Sequence, residues 1–128
     1  MKKAVGSIQD LDNLFMDTSM VMDPLVLQMV LERIDSSRLL FATDFPVPAM
    51  RGRRVYLMDH WVDLVLPGNE PSAFRVQSEN LRASFMVYEI ALAVARAAER
   101  MKLPPEKLAS IFYENGMKVL GRVQRPPE

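Results

Sequence analysis

The amino-acid sequence predicts an α/β fold with parallel strands, and two observations carry that expectation. Two short apolar runs, at about residues 13–18 and 38–43, lack the polar alternation of a strand with one wet face. Strands buried on both faces read this way, and they are typical of parallel sheets. Between the runs, Leu27, Val30, Leu31 and Ile34 recur at helical spacing. Strand, helix and strand within about 30 residues make a βαβ unit, whose strands run parallel through a right-handed crossover.

Met1 to Asp12 reads as a helix end and loop leading into the first strand. That strand, Leu14-Phe15-Met16-Asp17-Thr18, turns polar at its end. Asp23 is a good N-cap and Pro24 suits the first helical position, so a helix is expected over about 24–34. Asp35-Ser36-Ser37 ends it, and Leu39 to Thr43 forms the second strand. The region 46–77 carries Pro46, Pro48, Pro67, Pro71, Gly52 and Gly68, which argue against continuous regular structure. Its Tyr56, His60, Trp61 and Phe74 argue for packing, and Tyr56 to Leu66 accommodates a short helix with Leu57, Trp61, Leu64 and Val65 on one face.

A strongly helical pattern follows at about 79–101. Leu81, Phe85, Tyr88, Leu92 and Ala95 lie on one side, and several alanines permit close approach. Leu103-Pro104-Pro105 ends this helix and starts another at about 105–113. Asn115 is expected to cap a last helix over about 115–120, stopped by Gly121, before a polar tail. Neither repeats nor a second domain are evident, so residues 1–128 read as one unit.

Composition excludes several function classes. Lys plus Arg and Asp plus Glu number 16 each, so no general attraction to nucleic acid or an anionic membrane is expected. With no cysteine there are no disulfides, thiolate nucleophiles or thiolate metal sites. Polar residues from Gln9 to Asn13 interrupt any signal-like start, and the most apolar stretch, Phe85 to Ala98, is broken by Glu89 and Arg96. A cytoplasmic protein is expected. The ten methionines fall mostly in apolar stretches and read as core filling.

The residue that stands out chemically is Asp44, directly after a buried strand in Phe41-Ala42-Thr43-Asp44-Phe45-Pro46. A carboxylate at the carboxyl end of a parallel strand faces the catalytic mouth in (β/α) barrels. In a low-dielectric pocket it needs a cation, a hydrogen-bond network or a proton. The residues alone leave a second reading open, a turn aspartate bonded to its own loop. Arg51, Arg53 and Arg54 form a basic cluster suited to gripping a carboxylate or phosphate, or simply to solvation. His60 beside Trp61 reads as a substrate contact at the rim or as a packing residue.

The segment Asn13-Leu14-Phe15-Met16-Asp17-Thr18-Ser19, a helix, and then Asp35-Ser36-Ser37-Arg38-Leu39-Leu40-Phe41-Ala42-Thr43-Asp44-Phe45-Pro46 resembles the last two barrel strands of the amidohydrolase-related family. Glu114-Asn115-Gly116-Met117-Lys118-Val119-Leu120-Gly121 is similar to the family's closing helix, which often reads Asn-Ala-x-x-Leu-Leu-Gly. The resemblance implies a partial (β/α)8 TIM barrel: residues 1–128 would be a C-terminal fragment with a long strand-eight loop at about 46–77. It implies that Asp44 is a catalytic metal ligand and proton-transfer group. Asp17, at the end of the preceding strand, would line the pocket, with Arg51 and His60 as further substrate contacts.

The same resemblance implies a hydrolase dependent on a divalent metal, zinc or manganese, acting on a small-molecule substrate, with decarboxylases of the family as nearest neighbours. The family's histidines on the first, fifth and sixth strands have no counterpart here, because the single histidine, His60, follows Asp44. A metal held tightly needs three or more protein ligands, so the chain alone is expected to bind none and to be inactive. Two strands leave sheet edges exposed, where a closed barrel needs about eight. The expected partner is therefore the missing N-terminal barrel portion, or a second copy by self-association. A non-catalytic interaction module using the 79–101 helix and the sheet edge is the competing reading.

Overall fold

The computed structural model describes residues 2–58, 60–65 and 84–123, and the chain is an α/β protein with helices around two small sheets. Helix α1 (Lys2–Ile8) leads to strand β1 (Met16–Asp17), helix α2 (Pro24–Leu31) and strand β2 (Leu39–Leu40). Strands β1 and β2 pair in parallel, Met16 opposite Leu39 and Asp17 opposite Leu40, as the sequence pattern predicts.

Both strands are shorter than the expected 13–18 and 38–43, because side chains take over the ladder at each end. Thr18 N–H still reaches Leu40 O at 3.1 Å. Beyond it, the Thr18 hydroxyl donates to Ala42 O at 2.9 Å and accepts from Ala42 N–H at 3.1 Å. Upstream, the Leu14 carbonyl is taken by Arg38 Nε at 2.8 Å. The other guanidinium nitrogens of Arg38 donate to Gln9 O and Ile8 O, so one buried cation also closes the carboxyl end of α1.

Helix α2 begins as read, with the Asp23 carboxylate accepting Leu25 N–H at 2.9 Å and Pro24 at the first position. Regular α geometry stops at Leu31 rather than at residue 34, since Arg33 N–H turns back three residues to Val30 O. Asp35 then caps a 3₁₀ turn, Ser36–Arg38, through Ser37 N–H.

The region after Asp44 corrects the sequence reading. Strands β3 (Gly52–Leu57) and β4 (His60–Val65) form an antiparallel hairpin where irregular chain and a short helix over 56–66 were expected. Val55 stands opposite Val62 and Tyr56 opposite Trp61, β-branched and aromatic pairs suited to a pleated surface; Tyr56 and Trp61 meet edge-on at 5.0 Å. Gly52 N–H donates to Ser84 O, and Arg51 forms a bridge with Phe85, which ties the hairpin to the next helix. Of the long loop, residues 66–83 lie outside the described residues.

Helix α3 (Met86–Arg100) occupies the described part of the expected 79–101 helix. Its buried face is Met86, Ile90, Ala93, Val94, Ala97 and Ala98, packed against α2, and not the predicted stripe. Phe85, Tyr88 and Leu92 are 43%, 64% and 41% exposed. Both faces are apolar, and the small one wins the core because alanines let the helix axes approach.

Lys102, at φ 51°, ends α3 in a left-handed C-cap: Lys102 N–H bonds Glu99 O and Leu103 N–H bonds Ala98 O. Helix α4 (Pro105–Ala109), a π-helical turn (Ser110–Glu114) and helix α5 (Asn115–Val123) then run on without a break. Asn115 is therefore no cap, and Gly121 does not stop the helix. Among the described residues no helix is long and apolar enough to cross a membrane.

One core cluster joins Val5, Leu27, Val30, Ile34, Leu39, Ala93, Val94, Ala97 and Ile111; a second joins Met20, Met22, Met86 and Ile90, with Phe41 touching both. The outer edge of β2 is not exposed as expected. Backbone groups of successive strand residues point to opposite edges. Leu40 O faces β1, whereas Leu39 O accepts from Asn115 Nδ2 at 2.9 Å and Phe41 N–H donates to Ile111 O at 2.9 Å. That edge is sealed by a helix.

Candidate functional site at the carboxyl end of the parallel strands

Asp17 is the last residue of β1 and Asp44 lies four residues beyond β2, past the Thr18–Ala42 pair, so both stand toward the carboxyl end of the parallel sheet. Asp17 is exposed, and its Oδ1 accepts Ser19 N–H at 2.8 Å, an Asx turn that starts the run toward α2. Thr18 between them is fully buried and fixes the separation of the two strand ends through Ala42. The sequence reading missed this residue, although a threonine at a strand end is a recognisable candidate for bonding a neighbouring backbone.

Asp44 sits in the left-handed region at φ 66°, exposed, and its carboxylate makes no hydrogen bond among the described residues. Aspartate tolerates that backbone better than most side chains. Its electrostatic neighbour is Arg54. That guanidinium is held above its ordinary range first by its hydrogen bond to Asp63 and then by the negative charges of Asp63 and Asp44, against the opposing effect of burial. Arg54 and Asp63 stand directly opposite across the hairpin, and the contact is bidentate: Nε to Oδ1 at 2.6 Å and the terminal nitrogen to Oδ2 at 3.0 Å. Arg54 thus pairs with Asp63 in a way that only the hairpin register reveals, with Asp44 adding a weaker electrostatic attraction.

The predicted basic cluster divides among separate partners. Arg51 is exposed and lies over the Phe85 ring, 5.5 Å from its centroid. Arg53 donates to Met22 O at 3.3 Å, and its buried Nε has no hydrogen-bond partner among the described residues. His60 is exposed at the tip of the hairpin, opposite Leu57. Leu57 lies six residue steps along the chain from Arg51, roughly 20 Å at about 3.3 Å per step. Arg51 and His60 therefore do not converge on one small group.

Among the described residues, no group of three or more His, Asp or Glu side chains is placed to hold a metal ion. Asp44 there offers a single exposed carboxylate, whereas a tightly held divalent cation takes three or more protein ligands. A cleft of about 310 Å³ lies at the other, amino end of the strands, lined by Asp12, Phe15, Asp35, Ser37, Arg38, Asn115 and Lys118. It shares no residue with the Asp17 and Asp44 end. In comparison with known proteins, no family model, no curated protein and no solved structure matches the chain.

Proposed function

We propose that the chain is the C-terminal part of a metal-dependent hydrolase of the amidohydrolase-related type, and that by itself it is not a catalyst. The observation that carries this reading is the parallel register of Met16–Asp17 with Leu39–Leu40, which sets Asp17 and Asp44 at one rim. The Thr-Asp-Phe-Pro segment at 43–46 supports it from the sequence. In this reading Asp44 is the carboxylate that the chain contributes to a site whose remaining ligands, and whose zinc or manganese, belong to a complete barrel. Among the described residues no such cage is assembled, so no step of a reaction is assigned to them. A decarboxylase built on the same framework is the nearest alternative chemistry.

A second reading, a non-catalytic module that associates with copies of itself, draws on the exposed Phe85, Tyr88 and Leu92. Complementation separates the two. Mixing the chain with a piece carrying about six preceding strands of a family barrel is expected to yield a one-to-one complex that hydrolyses an amide or ester. Association with itself alone, and none with the barrel piece, sinks the first reading.

A further inference from the structure

We propose that the π-helical turn at Ser110–Glu114 is a latch that keeps any further strand off β2. In a regular α-helix the Asn115 N–H would return to the carbonyl four residues back, that of Ile111. Here it bonds Ser110 O instead. The Ile111 carbonyl is thereby released from the helix ladder, and it receives Phe41 N–H at 2.9 Å. Asn115, 1% exposed, supplies the second half of the latch: its Nδ2 donates to Leu39 O at 2.9 Å and to Ser36 O at 2.8 Å.

Leu39 in β2 and Phe41 just beyond it are the residues whose bonded backbone groups point away from β1. An added strand needs those same groups, so the helix and a new strand are mutually exclusive there. Open edges recruit strands from other chains, and proteins manage them by covering or twisting them. This chain covers its edge with one displaced carbonyl and one carboxamide.

The latch is packed as well as bonded: Ile111 is 1% exposed within the main core cluster and Phe112 meets Phe41 at 4.7 Å between ring centroids, whereas farther along α5 Met117 and Leu120 are 48% and 55% exposed. The buried Asn115 Oδ1 has no hydrogen-bond partner among the described residues. Opening the latch frees the β2 edge, and the edge then pairs with a second copy of the chain. In a completed barrel the closing strand takes this same edge, so the complementation proposed above requires the latch to open, whereas the latch itself rests only on the bonds at Leu39 and Phe41.

Three full-length proteins test the latch: wild type, Asn115→Ala, and a deletion of Tyr113 combined with Asn115→Ala. Removing one residue returns the turn to α register and withdraws the Ile111 carbonyl. Light scattering should show the doubly altered chain gaining mass with concentration well beyond wild type while its helical circular dichroism persists. The Phe41 amide should exchange about tenfold faster or more. Folded variants with wild-type association and unchanged Phe41 exchange overturn the proposal. Native-state exchange on wild type decides the case if the variants fail to fold. The Phe41 amide should then open together with the α5 amides, and opening in step with the Thr18 amide overturns the latch.

Discussion

The backbone amide of Phe41 donates to the carbonyl of Ile111 at 2.9 Å, joining the residue just past a parallel strand to a helical turn far along the chain. Together with Asn115, this bond decides where the small sheet can grow. A strand closing a barrel beyond β2 must displace the helix. Among the described residues, β1 carries no comparable seal at Asp17.

Thr18→Val should destabilise the fold. The swap keeps the volume and removes the hydroxyl, leaving both backbone groups of Ala42 without the partner they now have. Unpaired buried polar groups cost about 1–3 kcal/mol, so urea unfolding should shift by that amount at constant m-value, with Thr18→Ser recovering most of it. A Val variant within about 0.5 kcal/mol of wild type would match an ordinary surface change and remove Thr18 from the account.

The Arg54–Asp63 pair should show coupling in a double-mutant cycle with Arg54→Met and Asp63→Leu. The contact is bidentate, with side chains 29% and 14% exposed. Solvent screening lowers its worth, and about 1–2 kcal/mol is expected at low salt, falling as salt rises. Zero coupling would make the hairpin register, and not the charges, the source of the alignment.

Lys102→Gly should stabilise the protein. Lys102 holds φ 51° at the end of α3, a conformation that costs a side chain with a Cβ and suits glycine. Thermal or urea unfolding should gain about 0.5–1 kcal/mol, after the added chain entropy of glycine in the unfolded state.

Asp35 makes stability sensitive to acid. Its carboxyl is held below the ordinary 3.8 first by the Ser37 backbone N–H and then by the Ser37 side chain, with Lys107 and Arg38 adding smaller attractions. A depressed folded-state pKa contributes stability above the unfolded value and loses it as pH falls through the folded one. The difference between wild type and Asp35→Ala should therefore be constant from pH 7 to about pH 5 and shrink steadily below pH 4. A difference that grows on acidification contradicts the assignment.

The βαβ core was legible because Leu27, Val30 and Ile34 mark one helix face and Asp23-Pro24 marks its start. The hairpin was not. Its turn contains Met58 at φ 48° in place of the glycine or asparagine that signals such turns, and the surrounding prolines pointed to loop. The Arg54–Asp63 pair was invisible for the same reason, since only the register sets those two residues opposite each other. The buried face of α3 was misjudged because Tyr88 and Leu92 outrank alanine in hydrophobicity, whereas Ala93 and Ala97 are what the neighbouring helix fits. Asn115 was read as a cap because nothing local distinguishes a capping asparagine from one that reaches a strand at the other end of the fold.

Zinc binding measured by equilibrium dialysis tests the central claim most directly, with the chain alone and in its complex with the preceding strands of a family barrel. The account predicts no stoichiometric zinc on the isolated chain, about one ion per complex, and loss of that ion in the Asp44→Asn complex. Tight zinc on the isolated chain, or a complex that keeps its zinc after Asp44→Asn, would contradict it.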